Sequence, residues 1–177
     1  SSNKYRNFIG SILKSLNIQF KFVFLDDDFY HFTDSEFPQF LKMNDSIKIL
    51  KKFLNPKTNV EISKKIYVTR EDSNYRKILN EGDVVTLLRN KGYKVINPQL
   101  YEINEQIEIF SNAEKIVSPY GSNLANIIFC NPGTEILEIT PSFKDNEKIF
   151  EDRYLNLSQI NDLKHNKIIS DTVDVEN

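Results

Sequence analysis

Two arginines stand close together where a buried strand is predicted to end. Arg70 follows the apolar segment Ile66–Thr69 directly, and Arg76 lies a short distance further on, near the predicted N-terminus of a helix. Ligands of open α/β sheets bind beyond the carboxyl ends of the strands. An arginine presents a planar fork of N–H donors to phosphate oxygens, and a helix N-terminus also favours anions. The pair therefore predicts a pyrophosphate site, and the alternative is an ordinary surface ion pair with nearby carboxylates.

A polar loop follows another predicted strand, which ends at Ser118. Tyr120, Gly121, Ser122 and Asn123 lead from that strand into a short helix. Such a strand–loop–helix turn lets the backbone approach a phosphate closely. The loop matches neither the Walker pattern nor GxGxxG, and the same residue types are what any tight βα loop needs. By itself the pattern fits a ligand loop and a purely structural turn alike.

Several further side chains are candidates for sugar or nucleoside binding. Asn80 and Glu81 lie on the same predicted helix as Arg76. Glu138 lies inside an apolar strand near its C-terminal end, where an unpaired charge would be costly. Its position predicts either a ligand or a buried partner.

A second polar cluster follows the alternating segment Ile18–Phe24. Asp26, Asp27, Asp28 and His31 stand at its end and could supply a general base or a ligand for a divalent metal. Three adjacent aspartates are also typical of a solvated turn. We take Asp26, Asp28 and His31 as catalytic candidates and assign no metal site.

The composition narrows the class of protein. The net charge is -2, from 23 basic and 25 acidic residues without long blocks, which argues against a nucleic-acid partner. The single cysteine, Cys130, cannot form a disulfide within the chain, and with two histidines there is no cluster at zinc spacing. We therefore expect a cytoplasmic protein without a transmembrane segment. Ser1 is not preceded by Met or by a signal-peptide core, so the chain looks cut at its start.

Helices and strands must hold these side chains in place. The N-terminal region predicts a helix over Tyr5–Leu16, a strand over Ile18–Phe24 and a helix capped by Asp45 or Ser46. From Lys64 onward strands and helices alternate, which predicts an α/β fold: a Rossmann-like parallel sheet with helices on both faces. The predicted elements are strands at Ile66–Thr69, Tyr93–Ile96, Lys115–Ser118 and Glu135–Ile139, and helices at Tyr75–Lys91, after Asn104 and at Asn123–Phe129. Tyr154–Leu157 predicts an edge strand and Lys164–Asn177 a polar tail.

A set of segments keeps the order and spacing of a known family: Ile66–Arg70, Arg76–Glu81, Glu105–Phe110, Ser118–Phe129 and Glu135–Ile139. In this arrangement the chain resembles glycosyltransferase family 61. The resemblance implies a GT-B-like enzyme in which residues 63–177 are the nucleotide-sugar-binding donor lobe. Residues 1–62 would be a partial or truncated acceptor-side region, or the end of a lobe that continues upstream.

The resemblance also implies a reaction. It is inverting transfer of a sugar from a nucleotide-diphosphate donor to a glycan hydroxyl, without an obligatory metal or cofactor, in bacterial surface or capsular polysaccharide synthesis. Arg70 and Arg76 would hold the diphosphate, the Tyr120–Asn123 loop and Glu138 would hold sugar or nucleoside, and an aspartate would act as base. Sugar, acceptor and oligomeric state stay open, a homodimer included.

Other functions remain open. The family pattern His-Gly-Ala-Gly-Leu is replaced here by Tyr120-Gly121-Ser122-Asn123-Leu124, and a tyrosine hydroxyl does not titrate near neutral pH as imidazole does. A non-catalytic module that binds a nucleotide or a glycan is therefore the alternative. An unrelated doubly wound domain with a flavodoxin-like ligand is a third hypothesis.

Overall fold

The computed structural model describes residues 9–11, 13–14, 17–21, 45, 47, 58–71, 77–142 and 152–171. The chain divides into two compact units, Ser1–Asn55 and Pro56–Asn177. In the first unit the described residues at 9–11 and 13–14 are helical, as are Asp45 and Ile47, in agreement with the helices predicted there. Residues 18–21, predicted to begin a strand, form none, and Ile18 leaves nearly half of its surface exposed. The acceptor-side role of this region stays a prediction.

The second unit is built on a five-stranded parallel sheet in the order β2-β1-β3-β4-β5. This confirms the predicted α/β, Rossmann-like fold. Its strands are β1 Lys65–Val68, β2 Lys94–Ile96, β3 Lys115–Pro119, β4 Glu135–Pro141 and β5 Lys164–Ser170. Its described residues form the α-helices α1 Glu81–Asn90, α2 Ile103–Asn112 and α3 Arg153–Ile160, and 3₁₀ helices span Pro98–Leu100 and Ser122–Phe129.

Alternate side chains of the central strands enter two separate cores. Ile66 and Val68 of β1 pack in a cluster with Phe110 of α2, which also includes side chains of the Ser122–Phe129 helix and of α3. Tyr67 points to the opposite face, where it packs with Leu88 of α1. A parallel strand buried on both faces favours a continuous apolar run, and β1 has one at Ile66–Val68. The helices therefore cover both faces, as predicted.

The C-terminal part differs from its prediction. Tyr154–Leu157 lies in helix α3 and not in an edge strand, and Lys164–Ser170, predicted as part of a tail, is the edge strand β5. Tyr154 and Ser158, one helical turn apart, are both buried, so the helical period decides the structure. β5 is polar because it lies at an edge, where it pairs with β4 alone in the sheet.

Helix α1 begins later than predicted, at Glu81 instead of Tyr75. Asn80 precedes it with non-helical dihedrals, and its carbonyl accepts hydrogen bonds from the backbone N–H groups of Asp83 and Val84. Within the part of the chain that the structure describes, no helix is both long and apolar enough to cross a membrane.

Candidate functional site

The strand order makes the carboxyl ends of β1 and β3 a topological switch point, and we call the region between the two loops that leave these ends the crevice. From β1 the chain crosses to β2 on one side of it, and from β2 it returns to β3 on the other side. The loops that follow β1 and β3 therefore lead away from each other. In sheets of this order the gap at the carboxyl ends of these two strands is where ligands bind. Arg70 follows β1 and the Tyr120–Asn123 loop follows β3, so the structure brings these predicted site residues to that point.

Arg70 bridges the crevice. Its Nη1 donates a hydrogen bond to the carbonyl oxygen of Tyr120 at 3.1 Å. The guanidinium lies against Gly121 so closely that a Cβ atom there would come within 1.3 Å of Nη1 and 2.5 Å of Cζ. The absence of a side chain at Gly121 is thus what admits the arginine. The loop after β3 therefore holds the positive charge of Arg70 at the switch point. We call the end of β1 with its loop, and the loop after β3, the two walls of the crevice.

The loop after β3 is anchored from two directions. The N–H of Tyr120 donates to the carbonyl of Ile139 on β4 at 2.8 Å. The ring of Tyr120 is buried and meets the ring of Tyr154 edge to face, with centroids 5.3 Å apart. Ser122 is exposed and Asn123 partly buried at the start of the following 3₁₀ helix. Tyr120 is therefore a core residue, and its backbone and the next residues border the crevice.

Glu81 faces the β1 side of the site from the first turn of α1. Its Oε1 accepts hydrogen bonds from the hydroxyl groups of Tyr67 and Thr69, both at 2.8 Å, and from the N–H of Arg70 at 3.2 Å. One carboxylate oxygen thus ties the end of β1 to the start of α1. Asn80, the residue before it, is exposed.

The phenol of Tyr67 is strongly perturbed by these surroundings. Burial raises its pKa well above the ordinary range, and the hydrogen bond to Glu81 and the negative charge of that carboxylate raise it further. A phenolate would lose the hydrogen bond and would stand beside a carboxylate. Tyr67 is accordingly held in its neutral, donating form.

Glu138 lies two strands away from Arg70, on β4, and has buried partners. Its Oε1 accepts from the hydroxyl of Thr140 at 2.5 Å, and its Oε2 is 3.0 Å from Nε2 of His165 on β5. The other ring nitrogen of His165 is 2.7 Å from the hydroxyl of Ser158 on α3. The chain Ser158–His165–Glu138 has the order of a catalytic triad. Its serine is completely buried, however, so it connects α3 and β5 to β4 and does not face a substrate.

The remaining predicted site residues lie outside the described part of the chain. Asp26, Asp28, His31 and Arg76 are among them, and their roles stay predictions. Within the ranges that the structure describes, no group of three or more His, Cys, Asp or Glu side chains could hold a metal ion.

His165 and Ser158 were missed by the sequence reasoning. His165 lies in a segment interpreted as a tail and Ser158 follows one interpreted as a strand. The usable signal was Glu138: a carboxylate inside an apolar strand requires a partner, and His165 on β5 reaches it from the position opposite Ile136.

We predict that His165→Ala lowers the free energy of unfolding by about 2–4 kcal/mol, because it leaves the buried carboxylate of Glu138 without its ring partner. Urea unfolding followed by circular dichroism measures the change. The matched control is Lys115→Ala, which removes the exposed Lys115–Glu135 pair and should cost far less. Equal losses in the two variants would contradict a structural role for the buried chain.

We predict that Tyr67 makes the fold sensitive to alkaline pH. Its folded pKa is raised, so above about pH 10 the unfolded tyrosine loses its proton while the folded one keeps it. Unfolding free energy then falls with rising pH, by up to about 1.4 kcal/mol per pH unit for one proton. The free energy of unfolding, measured at several alkaline pH values, should fall less steeply with pH in Tyr67→Phe than in the wild-type protein. An unchanged slope in that variant would refute the prediction.

A comparison with protein families gives a match that includes both walls of the crevice. The sequence model of a family described as Glycosyltransferase 61 matches residues 27–137, more than half of the chain. The matched range contains Arg70, Glu81 and the whole Tyr120–Asn123 loop. No curated protein matches the chain significantly.

Proposed function

Because the chain belongs to glycosyltransferase family 61, we propose that it transfers a sugar from a nucleotide-diphosphate donor to a hydroxyl group of a glycan. The observation that carries the proposal is the Arg70 guanidinium held at the switch point between β1 and β3. The products of such a reaction would enter surface or capsular polysaccharide, and the single cysteine favours action in the cytoplasm.

The donor's diphosphate would lie between the end of β1 and the loop after β3. Arg70 would supply the positive charge, because the planar fork of a guanidinium matches the geometry of phosphate oxygens and this one lies beside the Tyr120 carbonyl at the loop after β3. Gly121 has no side chain, and this lets the guanidinium lie against the loop. Ser122 and Asn123, at the start of the next helix, would contribute backbone and side-chain donors. Arg76, predicted to follow on the β1 side, would supply a second charge.

The chemistry needs charge stabilisation and a base. The acceptor oxygen attacks the anomeric carbon, the bond to the diphosphate breaks, and inversion follows from attack on the opposite face. Negative charge grows on the departing diphosphate, and a fixed guanidinium lowers the barrier because it is already in place. The acceptor's proton must pass to a carboxylate or an imidazole. We propose Asp26, Asp28 and His31 as the candidates for this step.

A non-catalytic nucleotide- or glycan-binding module is the second candidate function. It is favoured by Tyr120, which replaces the histidine of the family pattern and packs its ring in the core against Tyr154. Such a residue neither titrates near neutral pH nor faces a ligand with its ring. Sugar transfer or donor hydrolysis by the purified chain would decide for the enzyme.

We predict that Arg70→Ala weakens binding of UDP or GDP by about 10- to 100-fold, the effect of losing charge-assisted hydrogen bonds to phosphate. Titration calorimetry on the purified chain measures it. Arg89→Ala is the matched control, because Arg89 is an exposed arginine in the last turn of α1. Undiminished affinity in Arg70→Ala would exclude the proposed phosphate site.

Gly121→Ala tests the same site from the opposite wall. The added methyl group would occupy the space of Nη1, and the flexible end of Arg70 can move away without unfolding the protein. Diphosphate affinity should therefore fall as in Arg70→Ala while the melting temperature changes little. Wild-type affinity in Gly121→Ala would show that the position of the guanidinium is irrelevant to binding.

A further inference from the structure

We propose that Glu81 is a positioning residue of the donor site, one that sets the place of Arg70 and does not itself touch the donor. The inference rests on the proposed function, since it concerns how the phosphate-binding arginine is held. It assigns Glu81 a role different from the direct sugar or nucleoside contact that its place on the sequence suggests.

The contacts of Glu81 all go to one short segment of the chain at the end of β1. Its Oε1 accepts from the side chains of Tyr67 and Thr69, which point to the same face of β1, and from the N–H of Arg70. Thr69 extends the connection, because its Oγ1 also accepts from the N–H of Glu71 at 3.2 Å. The carboxylate thus fixes the chain from the end of β1 into the loop that follows it.

Arg70 is thereby held at both ends. Its backbone N–H is bound by Glu81 on α1, and its guanidinium is bound by the carbonyl of Tyr120 on the other wall. The preceding residue, Thr69, donates its own N–H to the carbonyl of Ile96 on β2 at 2.9 Å. Loss of the Glu81 contacts would release the backbone of Arg70. The guanidinium would then have to be ordered each time a nucleotide sugar binds. Fixed geometry of this kind lowers the cost of binding.

The charge of Glu81 argues for this indirect role. A carboxylate that faced the diphosphate would repel it. Here one oxygen is surrounded by three donors and the group lies at the N-terminus of α1, where the helix dipole stabilises negative charge. The arrangement anchors the arginine at the edge of the site while its own charge is offset within the protein.

The test is a double-mutant cycle between Glu81 and Arg70, measured on the full chain by calorimetry with UDP and GDP, and with uridine and guanosine as phosphate-free probes. Glu81→Ala should weaken diphosphate binding roughly tenfold, as expected for lost hydrogen bonds to a charged group. Binding of the nucleosides should change little. In the Arg70→Ala background the same Glu81→Ala change should have almost no effect on diphosphate affinity.

Two control variants distinguish the positioning of Arg70 from a loss of protein stability and from a general effect of removing negative charge. Glu81→Gln keeps the size of the side chain and an acceptor oxygen, so it should fold and retain part of the affinity that Glu81→Ala loses. Asp83→Asn removes a negative charge from the same first turn of α1, where Asp83 is exposed, and should leave diphosphate affinity unchanged.

Three results would overturn the inference. They are independent, additive losses in the cycle, an equal loss of nucleoside binding in Glu81→Ala, and wild-type diphosphate affinity in Glu81→Ala. Each can occur while Arg70→Ala still weakens diphosphate binding, in which case the donor site stands and only the role of Glu81 is wrong. Failure of the wild-type chain to bind UDP or GDP would instead remove the proposed function itself.

Discussion

The parallel pairing of β1 with β3, in the register Ile66 to Ile116 and Tyr67 to Val117, is the constraint from which the site follows. It sets the ends of two strands side by side although α1, β2, a 3₁₀ helix and α2 separate them along the chain. The loops that leave these ends lead in opposite directions along the sheet. The side chain of Arg70 connects the two loops, which places a positive charge between them.

The carboxylates of Glu81 and Glu138 have different structural roles, because their hydrogen-bond partners come from different elements. Glu81 binds donors from the end of β1 and so stiffens the wall that carries Arg70. Glu138 binds donors from its own strand and from β5, and through Ser158 it secures α3. Since Tyr154 of α3 packs against Tyr120, that second network also supports the loop on the opposite wall. Both walls thus depend on buried or partly buried polar contacts.

The sequence predicts secondary structure correctly where the local residue pattern and burial agree. Runs such as Ile66–Val68 predict buried strands, and the place of Arg70 and the Tyr120–Asn123 loop at the carboxyl edge of the sheet follows from strand ends alone. It was insufficient where partners are distant: the bond from Arg70 to Tyr120 joins residues far apart in sequence. Tyr154–Leu157 was assigned to the wrong element, because so short a segment fits alternation as well as the helical period that Tyr154 and Ser158 reveal.

We propose that this crevice binds a nucleotide-diphosphate sugar, and a thermal-shift panel of nucleotide sugars on the purified chain tests this binding. A ligand that binds only the folded state raises the melting temperature in proportion to the logarithm of its concentration once the site is nearly saturated. We expect such a rise for at least one nucleotide sugar and its loss in Arg70→Ala. A panel in which no nucleotide sugar shifts the melting temperature, or in which the shift survives that substitution intact, would contradict it.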